Sequence, residues 1–318
     1  MDHLLSVASS PHIRSEMDTR RIMAWVIAAL VPAGAAGAFL LGTRSLLVMA
    51  VCVISCVASE AIWQKVTRQP VTVSDLSATV TGLLLAYNVP PTIPLWMAAC
   101  GGVFSMIIVK HFFGGLGQNI VNPALAGRAM MLICWPVAMT TWTMNGISGA
   151  TVEGTSGATP LAILKGTEAA GALPGIADAF IGNIGGCIGE TSALALLIGG
   201  GVLLYKEIIS WRIPVVYIVT VAVIQALLGR AGGPLLEILT GGLMLGSIFM
   251  ATDYATSPMT AKGQVIFAFG CGLVTSLIRT FGGYPEGVSY SILIMNLTVP
   301  IIDRLTMPRI LGEVKSHG

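Results

Sequence analysis

Long apolar windows recur along the whole sequence, and they constrain the possible fold more than any other feature. Ten windows can be delimited: 22–41, 46–63, 78–89, 93–113, 124–140, 183–204, 213–229, 235–251, 264–278 and 288–302. Most approach the roughly 20 residues that a helix needs to cross the hydrocarbon core of a bilayer. Because backbone groups in lipid must be hydrogen-bonded internally, these windows predict helices. A charged fraction of only 10% and a mean hydropathy of +0.83 agree with this interpretation. We predict an all-α polytopic membrane protein with about ten transmembrane helices.

The placement of lysine and arginine predicts how these helices are oriented. Basic residues precede the first window and follow the second, sixth and tenth: Arg14, Arg20, Arg21, Lys65, Arg68, Lys206, Arg212, Arg304, Arg309 and Lys315. If all ten windows cross the membrane, these residues share one side, and an excess of basic residues marks the cytoplasmic side. We therefore expect both termini to be cytoplasmic and the long connection 141–182 to lie outside.

The two halves of the sequence are similar to each other. In each half an apolar run ends in a basic residue, Lys110 or Arg279, which is followed within three residues by Phe-Gly-Gly. Because each half would cross the membrane five times, an odd number, the second half must be inverted relative to the first. In inverted repeats, binding sites typically lie near the bilayer midplane, where interrupted helices meet. The predicted organisation is a cytoplasmic tail 1–21, a five-helix repeat 22–140, an external loop 141–182, a second five-helix repeat 183–302 and a cytoplasmic tail 303–318.

The glycine-rich turn 114–123 is unusual at a membrane boundary. Its three glycines allow a close approach of the backbone to a ligand. The side chains of Asn119 and Asn122 can each donate and accept hydrogen bonds, which suits the edge of a flavin or a quinone carbonyl. Pro123 begins the next helix, and Arg128 follows one turn later. We predict that Asn119, Asn122 and Arg128 line a cofactor or quinone pocket. The alternative is a turn with asparagine caps and an arginine that reaches the interface.

Acidic residues in or beside apolar windows are further candidates. Glu60, Glu190 and Glu237 lie there, where an ionised carboxylate is costly and is usually functional. Glu190 is predicted about two turns into the sixth helix, where it could serve an ion or proton path or accept a structural hydrogen bond. His111 is interpreted as a cap at the end of the fourth helix.

The cysteines do not indicate a metal site. All six lie within apolar windows without a C-x-x-C pair, so we interpret them as packing residues and predict no metal. The alternative is a metal or redox role for Cys52 and Cys56, which share a helix face at i, i+4. The sequence has no G-x-x-x-x-G-K-[ST] segment and no G-x-G-x-x-G after a strand pattern, which argues against an ATP or nicotinamide site. Membrane lipid and protein partners are expected, and nucleic acid is not.

The small polar segment from Ser156 to Ala162 reads Ser-Gly-Ala-Thr-Pro-Leu-Ala. It resembles the site at which the D subunit of the Rnf electron-transport complex, and its relative the B subunit of the sodium-translocating NADH:quinone reductase, carry FMN. The resemblance implies that the flavin phosphate is esterified to the hydroxyl of Thr159. Ser156, Gly157 and Ala158 would form the narrow loop before this acceptor.

Further stretches extend the resemblance to this family over nearly the full length: 10–12, 114–128, 251–260 and 279–303. A second Ser-Gly-Ala-Thr ends at Thr151, but it lacks the Pro-Leu-Ala continuation, so Thr159 is favoured as the acceptor. The short N-terminal segment and the 256–260 loop resemble the Rnf branch of the family.

The resemblance implies a membrane subunit, not catalytic alone, of an ion-motive complex that couples electron flow between reduced ferredoxin and NAD⁺ to Na⁺ or H⁺ transport. Covalent FMN would relay the electrons, and relatives also hold riboflavin non-covalently. The implied partners are Rnf subunits A, B, C, E and G and a flavin transferase, and the implied location is the inner (cytoplasmic) membrane of a prokaryotic cell.

Two other functions fit parts of the sequence. One is the B subunit of a sodium-translocating NADH:quinone reductase, with quinone as the electron acceptor. The other is a solute channel or transporter without redox chemistry, since inverted five-helix repeats also build such proteins. A flavin spectrum of the purified complex separates the redox functions from the channel.

Overall fold

The computed structural model describes residues 17–142, 159–165, 173–229, 232–284 and 286–308. Within these ranges the chain is helical and contains no strand. The helices are α1 Thr19–Leu41, α2 Arg44–Val66, α3 Ser77–Tyr87, α4 Leu95–Phe104, α5 Pro123–Cys134, α6 Pro136–Thr140, α7 Pro160–Lys165, α8 Ile176–Ile181, α9 Ala193–Tyr205, α10 Arg212–Leu228, α11 Gly233–Leu239, α12 Leu243–Leu245, α13 Ala261–Phe281 and α14 Val288–Thr306. The predicted all-α class is confirmed for the part of the chain that the structure describes.

Each of the ten apolar windows contains at least one helix, but these helices differ in length. Four of them, α1, α2, α13 and α14, are long and apolar enough to cross a membrane. A fifth candidate span is the broken pair Gly233–Leu239 and Leu243–Met250, which is bent by 66°. The remaining windows hold apolar helices of 10–17 residues. The count of ten crossings and the inverted repeats therefore stay predictions.

A single glycine, Gly199, allows a close backbone contact between α1 and α9. A Cβ on Gly199 would lie 2.0 Å from the carbonyl oxygen of Ala29, so the two backbones meet without an intervening side chain. Small residues at such positions let helices approach closely in membrane proteins. This contact joins a helix of the first half of the sequence to a helix of the second half.

The segment 182–192 differs from the prediction. We expected a helix over 183–204, with Glu190 two turns inside it, but α9 begins only at Ala193. The preceding residues pair with the end of α3 instead: Ile188 N donates to Val89 O at 3.2 Å, and Gly189 N donates to Tyr87 O at 3.0 Å. A Cβ on Gly189 would lie 2.3 Å from the Tyr87 side chain. Glu190 therefore lies in a buried non-helical segment before α9, because glycine permits this tight backbone contact.

Two helices end in π-helical turns. Ser105–His111 continues α4, and Gly246–Met250 continues α12. Such turns are often found at functional sites. The carbonyl oxygen of Met250, at the end of the second turn, accepts a hydrogen bond from Asn122 Nδ2 at 3.3 Å. Lys110 of the first π-helical turn and Phe249 of the second both line a cavity described in the next section.

Candidate functional site

A cavity of about 80 Å³ lies beside α5 and α7, and we call it the Arg128 cavity. Its polar lining includes Arg128, Thr159, Glu190 and Glu286, and its apolar and aromatic lining includes Leu132, Trp142, Leu161, Tyr284 and Tyr290. The rings of Tyr284 and Tyr290 are stacked, with centroids 6.2 Å apart. The cavity therefore combines a cation, acidic groups and an aromatic wall.

Arg128 is the polar centre of this cavity. Its side chain is 8% exposed. The guanidinium donates to the Ser289 hydroxyl and forms an ion pair with Glu286 Oε2. Its NH2 group is also 3.8 Å from Cys187 Sγ, and its NH1 group is 3.8 Å from Glu190 Oε1. Arg128 is thus held inside the protein by several groups, so the interpretation as a side chain reaching the membrane surface is wrong.

Two carboxyl groups converge beside Arg128. Glu286 Oε1 accepts a hydrogen bond from Gly242 N at 2.8 Å. A Cβ on Gly242 would lie 2.5 Å from Glu286 Oε1 and 2.6 Å from Glu190 Oε1. Gly242 stands at the break between α11 and α12, so the lack of a side chain there lets both carboxyl groups approach the N-terminus of the second half of the broken helix.

Thr159 stands at the start of α7, at the edge of the Arg128 cavity. Its hydroxyl oxygen accepts a hydrogen bond from Ala162 N at 3.2 Å, and its carbonyl oxygen accepts from Ala162 N and Ile163 N. Thr159 therefore caps a short helix that Pro160 begins. Its side chain is half-buried. The predicted neighbours Ser156, Gly157 and Ala158 lie outside the described residues.

A second cavity, of about 270 Å³, lies between α1, α3, the start of α5 and the 249–255 segment, and we call it the Asn119 cavity. Most of its lining is apolar, and its polar groups include Asn119, Asn122, Lys110 and Asp253. Small-molecule sites typically combine an apolar enclosure of about 300–1,000 Å³ with a few polar groups. This cavity is close to the lower end of that range.

The two asparagines of this cavity also have structural roles. Asn122 Oδ1 accepts from Ala124 N at 3.1 Å and from Leu125 N at 3.2 Å, so it is the N-cap of α5. Asn119 Nδ2 donates to Val121 O at 3.2 Å. Burial raises the pKa of Asp253 above its usual range, and hydrogen bonds, one of them to Asn119, oppose this shift. Asn122 therefore both caps α5 and lines the cavity, and Asn119 both bonds to the turn and lines the cavity.

The structure separates the three residues that we expected around one pocket. Asn119 and Asn122 line the Asn119 cavity, whereas Arg128 lines the other cavity together with Thr159. Arg128 follows Asn122 by six positions, which corresponds to about 9 Å along the axis of α5. α5 thus has one cavity at its N-terminus and the other beside its second turn.

Two other buried acids, Glu60 and Glu237, are ion-paired. Lys110 Nζ donates to Glu60 Oε1 at 2.8 Å and to the Ser77 hydroxyl at 2.7 Å. His111 Nε2 also lies 3.4 Å from Glu60 Oε1, so His111 neighbours this pair as well as ending the π-helical turn. Each of these side chains is almost fully buried, and charges inside a membrane protein usually require such partners.

A second buried pair joins α13 to α11. Arg279 NH1 lies 3.2 Å from Glu237 Oε2, and the same guanidinium donates to the carbonyl oxygens of Glu237 and Thr240. The apolar windows single out Glu237, while Arg279 and Lys110 enter the sequence pattern only as markers of the repeat. Glu286 lies in the segment before α14, and the structure places it against Arg128. A basic residue inside an apolar window is a signal that could have identified the pairs with Lys110 and Arg279.

Metal ligands do not converge in the described part of the chain: no group of three histidine, cysteine, aspartate or glutamate side chains there could hold a metal ion.

Residues 6–312 match the model of the "NQR2, RnfD, RnfE family". The chain belongs to this family. It is 53% identical over 313 residues to the D subunit of the "Na(+)-translocating ferredoxin:NAD(+) oxidoreductase complex" of Acetobacterium woodii, with 98% of this chain and 96% of the relative covered. It is 46% identical over 318 residues to the D subunit of the "Proton-translocating ferredoxin:NAD(+) oxidoreductase complex" of Clostridium ljungdahlii, with 96% of each chain covered.

A third relative extends the comparison within the NQR2, RnfD, RnfE family. The D subunit of the "Ion-translocating oxidoreductase complex" of Stutzerimonas stutzeri is 40% identical over 333 residues, covering 95% of this chain and 94% of the relative. The predicted family is therefore confirmed.

Proposed function

We propose that this chain is the D subunit of an ion-translocating ferredoxin:NAD⁺ oxidoreductase complex, and that it relays electrons through FMN attached to Thr159. The names of the relatives in Acetobacterium woodii and Clostridium ljungdahlii support the complex. The position of Thr159 at the edge of a cavity with a buried arginine and an aromatic wall supports the attachment. This position is the observation that carries the proposal.

The residues around Thr159 fit a phosphate-linked flavin. A threonine hydroxyl at a cavity edge can form the ester bond, and its phosphate keeps one negative charge. Arg128 lies on the same wall as Thr159, while Tyr284 and Tyr290 offer ring faces on which a planar heterocycle can stack. Bound FMN would supply one- and two-electron redox chemistry. The chain's own residues would orient the ring, exclude water and fix the charge of its surroundings.

The Asn119 cavity fits a second, non-covalent ligand. Riboflavin, which the family resemblance implies, has an apolar ring system with donors and acceptors along one edge. The apolar walls of this cavity and the polar side chains of Asn119, Asn122 and Asp253 match that distribution. We assign these residues to riboflavin, and Arg128 to the covalent flavin.

We further propose the predicted membrane arrangement: ten membrane segments in two inverted repeats, 22–140 and 183–302, with tails 1–21 and 303–318 in the cytoplasm and the loop 141–182 outside. The buried ion pairs support the repeat, because Lys110 and Arg279 occupy matching positions in the two halves. Lys110 binds Glu60 and the start of the short helix α3. Arg279 binds Glu237 and the end of α11, the first part of the broken helix. In this arrangement the chain lies in the inner membrane with Rnf subunits A, B, C, E and G, and an external flavin transferase modifies Thr159.

The attachment is tested with two matched threonine variants of the complex, expressed with the flavin transferase. Thr159→Ala removes the hydroxyl that would form the ester, so in-gel flavin fluorescence of the denatured subunit should be lost. Thr151→Ala, in the copy that lacks Pro-Leu-Ala, should keep the fluorescence. Intact mass should show one FMN increment in the unmodified sequence and in Thr151→Ala only.

The same experiment identifies the alternatives. Fluorescence that persists in Thr159→Ala and disappears in Thr151→Ala would overturn the assignment to Thr159. A complex without any flavin spectrum, despite an active transferase, would indicate a channel or transporter without redox chemistry.

A further inference from the structure

We propose that Glu190 and Glu286 form a proton-binding site in the wall of the Arg128 cavity, in which the two carboxyl groups share one proton. Its link to electron flow rests on the function proposed above, but the site itself does not. Three observations carry the proposal: the contact between the two carboxyl groups, the local charge balance, and the partners that remain for each oxygen atom.

The two carboxyl groups are direct neighbours. Each has an oxygen within 2.6 Å of the position that a Cβ of Gly242 would take, so both carboxyl groups converge on the same point of the backbone. A hydrogen bond between two carboxyl groups requires a proton on one of them, because carboxylate oxygens only accept. Two carboxylates that share a buried site cannot both be ionised without strong repulsion.

Among the described residues, the charged groups around the two glutamates leave one negative charge unmatched. Arg128 faces both glutamates, so two ionised carboxylates would exceed the single guanidinium by one charge. Arg279 also lies near, but Glu237 neutralises it. Cys187 Sγ lies 3.8 Å from the guanidinium, and Tyr290 of α14 lines the cavity; thiols and phenols are ordinarily uncharged at neutral pH. Lys165 of α7 donates to the carbonyl oxygens of Gly282 and Tyr284 at the rim.

The hydrogen-bond partners of the two carboxyl groups indicate that Glu190, and not Glu286, carries the proton. Both oxygens of Glu286 already accept hydrogen bonds, one from Arg128 and one from Gly242 N, which favours its ionised form. Glu190 is 5% exposed, and its Oε1 has no hydrogen-bond partner among the described residues. A metal cation would need several free oxygen ligands, which the occupied oxygens of Glu286 do not offer. A proton needs only the two carboxyl groups.

The site is tested by infrared difference spectroscopy of the purified complex during pH changes in Na⁺-free buffer. The unmodified complex should show the carbonyl band of a protonated carboxyl group, which disappears only at a pH well above the ordinary glutamic acid value of about 4.3. This band should be absent in Glu190→Gln and also in Glu286→Gln, since the carboxylate that remains would be matched by Arg128. Glu60→Gln, in the separate pair with Lys110, should keep it.

Retained assembly and covalent flavin in each variant show that the fold is intact. A band that persists in both glutamine variants, or that NaCl removes at constant pH while choline chloride does not, would overturn the proposal, the latter by showing a sodium site. The Thr159→Ala complex separates this result from the proposed function. The band should persist in that complex, because the carboxyl pair does not require the flavin.

Discussion

Arg128 on α5 and Glu286 before α14 form an ion pair inside the protein, across 158 residues of sequence. The pair connects the two halves of the chain at the cavity that contains Thr159. Because Glu190 and Ser289 contact the same guanidinium, one side chain holds three segments that the sequence separates widely.

Replacement of Arg128 by alanine should strongly destabilise the protein. Removal of one partner of a buried ion pair leaves an uncompensated charge and typically costs about 3–5 kcal/mol. Thermal unfolding of the purified complex in detergent should therefore shift to a lower temperature in Arg128→Ala. The double variant Arg128→Leu with Glu286→Leu should recover much of this loss, since it removes both charges. A double variant less stable than Arg128→Ala would contradict the attribution of this loss to an uncompensated charge.

Asn122 should be needed for the non-covalent flavin and not for the covalent one. Asn122→Ala loses the N-cap of α5, at a cost of about 1 kcal/mol, together with the amide that faces the Asn119 cavity. Electron transfer and extractable riboflavin should fall, while in-gel fluorescence and assembly remain.

Asn122→Ser is the matched control, because serine keeps the cap and lacks the amide. The same loss of riboflavin in the serine variant would assign the effect to the amide. Normal turnover and normal riboflavin in Asn122→Ala would instead leave Asn122 with a structural role only.

The contact between α1 and α9 should depend on a single glycine. Gly199→Ala places a methyl group 2.0 Å from the backbone oxygen of Ala29, so the helices must separate, and overpacking of this kind costs about 1–3 kcal/mol. Gly201 in the same helix faces open space, with no atom within 4 Å of the place where a methyl group would lie. Gly201→Ala should therefore leave thermal stability unchanged or raise it. Equal melting temperatures for the two variants would contradict the close packing.

The membrane orientation should place both ends of the chain in the cytoplasm. A single cysteine introduced at residue 318 of a cysteine-free variant should react with a membrane-impermeant maleimide only after the cells are opened. A cysteine introduced in the loop 141–182, for example at Thr155, should react in intact cells. Labelling of residue 318 in intact cells would reverse the orientation inferred from the basic residues.

The sequence alone determined the helical class, the approximate positions of the helices in the ten apolar windows, and the family. Spacing of apolar residues is sufficient for this, because a membrane helix satisfies its own backbone hydrogen bonds and depends little on distant residues. The sequence also singled out Thr159, Asn119, Asn122 and Arg128 as candidate site residues, and the structure places each of them in the lining of a cavity. The sequence could not show which cavity each residue lines, because a local sequence pattern contains no information on which distant segments contact each other. It also did not predict the short helices α7 and α8, which lie within the segment 141–182.

Only the tertiary structure decided how the charged groups pair and where helices stop. The segment before α9 contains apolar residues typical of a helix, yet its backbone bonds to the end of α3, and this contact places Glu190 beside Arg128. Glu286 is 158 residues from Arg128, and only folding brings them together. Apolar periodicity is a local property of the chain. The matching of buried charges depends on contacts between distant segments, and for that reason it appeared only in the folded protein.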